Sequence, residues 1–315
     1  MNKFLNLTTE EEWFCLSPHI NIDKNFKTMS DLLIKRTYKD LIKKFLGKKN
    51  ENRTEDIVKN MYNDKWVARD SKLSINDGGY VPIIWNKNKF VTQGLGLRKL
   101  QTLRIIKLIK KIKSKKVLDI GCGNGERLLQ LACIFPDIEF TGVDLTEGGI
   151  ATAKEIQKLD KISDALKEAS PYPLVDLTAH KNIKFICSSA KKMPFEKNSF
   201  GLVYTSLALE QMERIRAEVL REIYRVCGGY ASFYEAFKEY NNKFPSLAYV
   251  ISQDYFRGSI SDLNKFGFKN IQVYKEIPQK VYMNTVFVVY QENNVLGPNL
   301  LVFTIWSAML AVSMK

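Results

Sequence analysis

The chain has 315 residues, of which 45% are hydrophobic and 26% are charged, and this balance excludes a disordered chain because enough apolar material offsets the entropy of ordering. The formal net charge of +14 favours anionic partners, but lysines are spread along the whole chain, so the excess predicts no particular binding face. Five cysteines without a CxxC pair, together with only two histidines, argue against a disulfide framework and a metal site.

Residues 1–98 are predicted to form a helical and irregular region that serves as a lid or an acceptor pocket. Three glutamates at positions 10 to 12 and the lack of an apolar core argue against a signal peptide. Ser30 is the predicted N-cap of a helix with helical apolar spacing, and Gly47 ends that helix. Glycine, proline and Asn-Asp clusters over 76–98 predict turns and a loop-rich stretch.

Residues 99–291 are predicted to form a Rossmann-like domain. The segment 100–112 is an amphipathic helix whose lysines we interpret as a solvated face. Strands are expected over 116–120, 139–143, 183–187, 202–205, 230–235, 270–274 and 281–291, and helices over 126–134, 149–159 and 212–226. This alternation predicts an α/β fold with a mostly parallel seven-stranded sheet and helices on both faces. The last two strands should be antiparallel because no long helix separates them.

The final residues, 292–315, form an apolar tail. A helix over 300–314 would be about 22 Å long, which is short of a hydrocarbon core of about 30 Å. Two interpretations stay open, a buried terminal element and a peripheral membrane anchor.

The most informative segment is a glycine-rich turn between a strand and a helix. Gly121, Gly123 and Gly125 follow the strand that carries Asp119, and their lack of a Cβ lets a ligand approach the backbone. The GxGxG spacing fits neither the nicotinamide fingerprint nor a P-loop. Asp144 ends the next strand, nineteen residues beyond Gly125, where an acid can bind both hydroxyls of a ribose.

These motifs resemble those of the class I S-adenosylmethionine-dependent methyltransferases. The string VLDIGCGNGE over 117–126 is similar to their first motif, and Gly142-Val143-Asp144 is similar to their second. The segments 188–195, 198–206 and 221–229 resemble the regions around their third to fifth strands. The similarity is strongest to the small-metabolite branch that includes quinone and sterol methyltransferases, and it covers about residues 100–291.

The resemblance implies S-adenosylmethionine as cofactor, S-adenosylhomocysteine as product, and a role for each matching residue. Asp119 and the glycine loop would hold the methionine end, and Asp144 would hold the ribose. The full set of expected cofactor-binding residues is Asp119, Gly121, Cys122, Gly123, Asn124, Gly125, Asp144, Leu145, Ser189, Ala190, Thr205 and Ser206. Within that set, Ser189 and Ala190 would meet the adenine, Leu145 would pack on its face, and Thr205 and Ser206 would close the site.

This chain departs from the family pattern in three places. Two of them lack an acidic residue, and the third lacks a residue that could act as a catalytic base. An aspartate is common where this chain has Ser189, and another where it has Gly201. Many family members also carry a histidine after the fourth strand, which this chain lacks. Glu210 is therefore the candidate base, and Glu213 and Glu235 are the next candidates. The alternative interpretation of Glu210 is an exposed glutamate at a helix start, where the helix dipole favours an acid.

We therefore expect a cytoplasmic methyltransferase that acts on a small metabolite or a glycan or lipid precursor. An RNA methyltransferase is an alternative motivated by the net charge, although no Asn-Pro-Pro-Tyr string is present. A cofactor-binding scaffold without catalysis is a second alternative. No metal is expected, the tail could contact a membrane, and the sequence leaves the methylated atom and the oligomeric state open.

Overall fold

The computed structural model describes residues 9–21, 24–47, 53–67 and 79–292. The predicted apolar tail, 292–315, lies outside the described residues except for its first position. The N-terminal part contains α1 (Thr9–Leu16), α2 (Phe26–Phe45), α3 (Glu55–Val67), β1 (Tyr80–Trp85), β2 (Asn88–Gln93) and α4 (Gly94–Ile112).

The remainder alternates strands and helices, as the sequence predicts. Its elements are β3 (Lys116–Ile120), α5 (Glu126–Ile134), β4 (Glu139–Asp144), α6 (Glu147–Gln157), α7 (Asp164–Glu168), β5 (Lys184–Cys187), β6 (Phe200–Ser206), α8 (Arg216–Val226), β7 (Cys227–Glu235), α9 (Ser246–Ser252), α10 (Ile260–Leu263), β8 (Ile271–Tyr274), β9 (Gln279–Lys280) and β10 (Val286–Gln291). The fold class predicted from the sequence is confirmed.

Seven strands form the main sheet in the order β5-β4-β3-β6-β7-β10-β8. Neighbouring strands from β5 to β7 are parallel, whereas β10 pairs antiparallel with β7 and with β8. The predicted antiparallel arrangement of the last two strands is therefore confirmed. The strand order reverses beside β3, and open α/β sheets bind ligands at such a switch point, outside the carboxyl ends of the strands.

Each face of the main sheet has its own apolar core, because successive strand residues point to opposite faces. Val117 packs with α4, α5 and α6 on one face, and Leu118 packs with α8 on the other. The apolar stripe of α8, with Val219 and Ile223 fully buried, explains why this helix lies flat on the sheet. The helix begins at Arg216 rather than at 212, because 3₁₀ turns occupy the preceding residues.

The N-terminal region departs from the prediction in two places. The N-cap of α2 is Asn25, whose side chain accepts a hydrogen bond from the Thr28 amide, whereas Ser30 lies inside the helix and donates to the Phe26 carbonyl. The predicted loop-rich stretch contains the β1–β2 hairpin and the first turn of α4 instead. The β-branched and aromatic residues in β1 and β2 outweigh the turn-forming residues around them.

A second, three-stranded sheet has the order β2-β1-β9 and joins distant parts of the chain. In it Ile83 of β1 faces Lys280 of β9. The same region is fixed by a buried ion pair, 2.9 Å long, between Arg104 of α4 and Glu12 of α1. The helix α4 runs across the predicted boundary at residue 98, so the hairpin is tied directly to the main sheet.

Among the described helices, none is both long and apolar enough to cross a membrane.

Candidate functional site

A cavity of about 430 Å³ opens at the carboxyl ends of β3, β4 and β6. Its volume falls within the range of pockets that hold small organic ligands. Nine of the residues predicted from the sequence line it, namely Asp119, Gly121, Cys122, Gly123, Asn124, Asp144, Leu145, Ala190 and Ser206. The parallel sheet brings them together because these strands all end at one edge.

The glycine loop folds back on β4 and exposes its backbone to the cavity. The Gly121 and Cys122 amides donate to the Val143 carbonyl at 2.8 and 3.1 Å. Gly121 has φ +77°, and a Cβ on it would lie 2.4 Å from the Ala208 side chain. Only glycine fits this position, because the left-handed backbone and the close approach both exclude a side chain. Gly125 also has a left-handed conformation and is the N-cap of α5, outside the cavity lining.

Asp144 connects the glycine loop to β4. Its Oδ2 accepts a hydrogen bond of 2.7 Å from the Gly123 amide, and its Oδ1 accepts bonds from the amide and the hydroxyl of Thr146. The same tetrapeptide, VDLT, recurs at 175–178, where Asp176 accepts the corresponding two bonds from Thr178. Only the first copy lines the cavity.

Asp119 is the second carboxylate of the cavity floor, and it is almost fully buried. Burial raises the pKa of Asp119 to about 6, against the opposing effects of Arg127 and of the Tyr204 hydroxyl. That hydroxyl donates to Asp119 Oδ2 at 2.8 Å. The group therefore titrates near neutral pH and can hold a cationic ligand group when it is ionised.

Helix α3 covers one end of the cavity, where Glu55, Val58 and Tyr62 line it. The Ser189 hydroxyl donates to the Glu55 carboxylate, which also pairs with Lys191. Ser189 itself does not line the cavity. The acidic side chain that lines this end of the cavity is that of Glu55, from α3.

The other end of the cavity combines apolar and cationic groups. Val81, Leu97, Met212 and Ile215 contribute apolar surface, and Arg53, Gln211, Lys280 and Tyr282 contribute polar groups. Burial alone would lower the pKa of Lys280. The surrounding groups of Tyr282, Glu210 and Tyr234 outweigh burial and raise that pKa, so this end of the cavity keeps a positive charge.

Two buried glutamates lie behind the cavity wall. Glu235 Oε1 accepts bonds from the Ala208 and Leu209 amides at 3.0 and 3.2 Å and so fixes the loop after β6. Burial, with a further contribution from the Glu210 charge, raises the pKa of Glu235 to about 8. Glu210 does not line the cavity, but its Oε1 accepts a bond of 2.9 Å from Gln211, which does.

The structure brings most of the predicted residues together, but four of them stand outside the lining: Gly125, Ser189, Thr205 and Glu210. Thr205 is buried beside the wall. Glu210 is also buried, so it is not the exposed helix-start residue of the alternative interpretation. Sequence reasoning missed Glu55, Arg53 and Lys280, because no local motif marks residues that tertiary packing brings to a distant site. The family pattern offered one signal for Glu55, since this chain has Ser189 where an aspartate is common in the family.

Within the described part of the chain, no group of three histidine, cysteine or acidic residues is arranged to hold a metal ion.

Residues 118–233 match a family model described as a methyltransferase domain. A demethylmenaquinone methyltransferase of Staphylococcus aureus is 29% identical over 110 residues, which are 35% of this chain and 37% of that protein. The chain thus matches little more than a third of the length of these curated relatives.

Solved structures show similarities of lower identity. A putative O-methyltransferase from Nostoc punctiforme has 16% identity and a TM-score of 0.46 over 62% of this chain and 57% of its own. The [4+2]-cyclase SpnF has 16% identity and a TM-score of 0.48 over 76% of this chain and 96% of its own.

Proposed function

We propose that the chain transfers a methyl group from S-adenosylmethionine to a small metabolite or a glycan or lipid precursor, because residues 118–233 match a family model described as a methyltransferase domain. The observation that supports this most is the meeting of the glycine loop, Asp119 and Asp144 in one cavity at the switch point of the sheet. The quinone-methyltransferase similarity supports an acceptor of small-metabolite or lipid character.

The polar groups around the cavity fit this cofactor. The two carboxylate oxygens of Asp144 offer about four lone-pair sites, and the Gly123 amide and the amide and hydroxyl of Thr146 occupy three of them. Oδ2 can therefore accept from one ribose hydroxyl while all three bonds are kept. Asp119 offers a buried carboxylate to the ammonium of the methionine end. The cofactor supplies a methyl group on an activated sulfonium, so the protein mainly has to position and desolvate the acceptor.

Glu55 takes the place of the absent family aspartate in this proposal. Its carboxylate lines the cavity beside Ser188 and Ala190 and is held there by Ser189 and Lys191. A carboxylate accepts a hydrogen bond from an amino group more strongly than a serine hydroxyl does. We therefore assign recognition of the adenine amino group to Glu55, with Ser189 orienting it.

The acceptor occupies the end of the cavity between the small sheet and the loop after β6. Val81, Leu97 and Met212 exclude water there, which strengthens the effect of any charge inside. A hydroxyl or phenol acceptor also needs a base. Glu210 remains our candidate for that role, and it would take the acceptor's proton directly once its hydrogen bond with the Gln211 side chain opens.

The test is methyl transfer from labelled S-adenosylmethionine to fractions of a cell extract. We expect label in a small-molecule or lipid fraction with the parent chain and with Asp176→Asn, the matched change in the second VDLT copy. Asp144→Asn should abolish the transfer. Label in the RNA fraction would favour an RNA acceptor, and no transfer by a chain that binds the cofactor would favour a scaffold.

A further inference from the structure

The outward face of α2 carries two adjacent rows of side chains of different chemistry. Tyr38, Ile42 and Phe45 follow one another at spacings of four and three residues and are 56%, 42% and 79% exposed. The exposed lysines Lys35, Lys39 and Lys43 repeat every four residues beside them. Residues three or four apart lie on the same side of a helix, so each set forms a continuous row.

The opposite face of α2 is attached to the protein, which keeps both rows turned outward. Thr37 is buried, and Asp40 accepts a hydrogen bond from the side chain of Gln253. One turn later, Lys44 pairs with the buried Asp254 at 3.7 Å. These contacts with the two residues that follow α9 fix the rotation of α2 about its own axis.

The charge of the outward face is one-sided. The exposed charged residues of α2 are five basic ones and one acidic one, Lys27, Lys35, Arg36, Lys39, Lys43 and Asp31. Beyond the helix end, Leu46 is 63% exposed and extends the apolar row. Aromatic and aliphatic side chains beside lysines are typical of helices that lie in the interface of an anionic membrane.

We propose that the outward face of α2 docks on the surface of a membrane that contains anionic lipid. The lysine row faces the headgroups, and Ile42, Phe45 and Leu46 enter the boundary between headgroups and acyl chains. RNA would also attract the lysines, but it would leave the apolar row exposed to water. This contact is separate from the cavity, so it does not depend on the proposed methyl transfer.

Vesicle co-sedimentation of the full chain tests the proposal. Vesicles of equal parts phosphatidylcholine and phosphatidylglycerol should bind the protein, and vesicles of phosphatidylcholine alone should bind it far less. Each lysine near an anionic surface contributes about fivefold to partitioning, so Lys35→Gln/Lys39→Gln/Lys43→Gln should weaken binding about a hundredfold. Ile42→Ser/Phe45→Ser should also weaken it, and added salt should affect the parent more than the lysine variant.

The matched control variants change side chains of similar exposure in parts of the chain outside α2. Lys154→Gln/Lys158→Gln/Lys161→Gln removes three exposed lysines at and beyond the end of α6, and Leu159→Ser/Val175→Ser removes exposed apolar side chains. Both controls should bind vesicles like the parent. Circular dichroism and urea unfolding of every variant verify that the fold is retained.

Three results would overturn the proposal. Vesicle binding that the α2 variants leave unchanged would assign the contact to another part of the chain. Binding to polyuridylic acid that the lysine variant abolishes, without binding to vesicles, would make the face a nucleic-acid surface. A dimer in sedimentation velocity that Ile42→Ser/Phe45→Ser converts to a monomer, without vesicle binding, would mean that a second copy covers this face.

Discussion

Replacing Glu235 with glutamine should make the protein more stable at neutral and alkaline pH. This carboxyl is fully buried, and its pKa in the folded protein is about 8 against an ordinary value of 4.5. The folded state therefore binds the proton more tightly than the unfolded state does. It follows that the parent loses stability as pH rises from about 4.5 to about 8, by up to about 5 kcal/mol. Glutamine cannot ionise, so the variant escapes that loss.

The assay is urea unfolding of parent and Glu235→Gln at a series of pH values. The difference between the two should be small near pH 4, where both are uncharged, and should grow toward about 5 kcal/mol above pH 8. Glutamine can keep the bonds to the Ala208 and Leu209 amides through its carbonyl oxygen. Parallel pH profiles for the two proteins would refute the argument, because burial would then not be suppressing the ionisation of Glu235.

Glu222→Gln is the matched control, and its expected effect on stability has the opposite sign. Glu222 also accepts a backbone bond, from the Met193 amide, but its hydrogen bonds with Arg225 hold its pKa below the ordinary value. Its charge therefore adds stability above the unfolded pKa, and that contribution is lost as pH falls through the folded pKa. This glutamine variant should be the less stable one at neutral pH and should approach the parent in acid.

Three further predictions concern the cavity. Affinity for S-adenosylhomocysteine, measured by calorimetry, should rise from about pH 5 to about pH 7, because Asp119 must lose its proton to hold the ligand's ammonium, and Asp119→Asn should flatten that rise. Glu55→Gln should weaken S-adenosylhomocysteine about tenfold by calorimetry and should leave its inosine analogue, which lacks the adenine amino group, little changed. Gly121→Ala should cost about 3 kcal/mol in urea unfolding, from the left-handed backbone and the contact with Ala208.

Two of these predictions have controls close at hand. Asp56→Asn changes the exposed acid next to Glu55 and should leave both ligands unaffected. Gly47→Ala introduces a side chain at φ +67° with no atom within 4 Å, so it should cost only the backbone part, about 1 kcal/mol. A similar loss at Gly47 and Gly121 would refute the close-contact argument. An equal weakening of both ligands by Glu55→Gln would refute its role at the adenine.

The sequence predicted the parts of the fold that depend on local patterns. The strands β3 to β7 and the helix α5 lie within a few residues of their predicted bounds, because apolar periodicity and glycine turns are local signals. The hairpin β1–β2 was missed because its turn-forming flanks suggested a loop. Strand β9 was also missed, since two residues that pair only with a distant hairpin carry no periodicity of their own.

The residues of the candidate site fall into the same two groups, those that a local sequence pattern predicts and those that it does not. The glycine loop, Asp119 and Asp144 belong to strand ends and turns, so their spacing predicted that they meet. Glu55 and Lys280 arrive from elements that only tertiary packing brings to the cavity. No spacing rule connects residue 55 to residue 189, although the serine at 189 indicated that an acid was missing.

The cofactor site is tested by calorimetric titration of the parent chain and the two VDLT variants, Asp144→Asn and Asp176→Asn, with S-adenosylhomocysteine. We expect micromolar binding by the parent and by Asp176→Asn. We expect Asp144→Asn to bind about tenfold to a hundredfold more weakly, because a ribose hydroxyl loses its hydrogen bond to a charged acceptor. Equal binding by all three proteins, or no binding by the folded parent, would mean that the cavity at Asp144 is not a cofactor site.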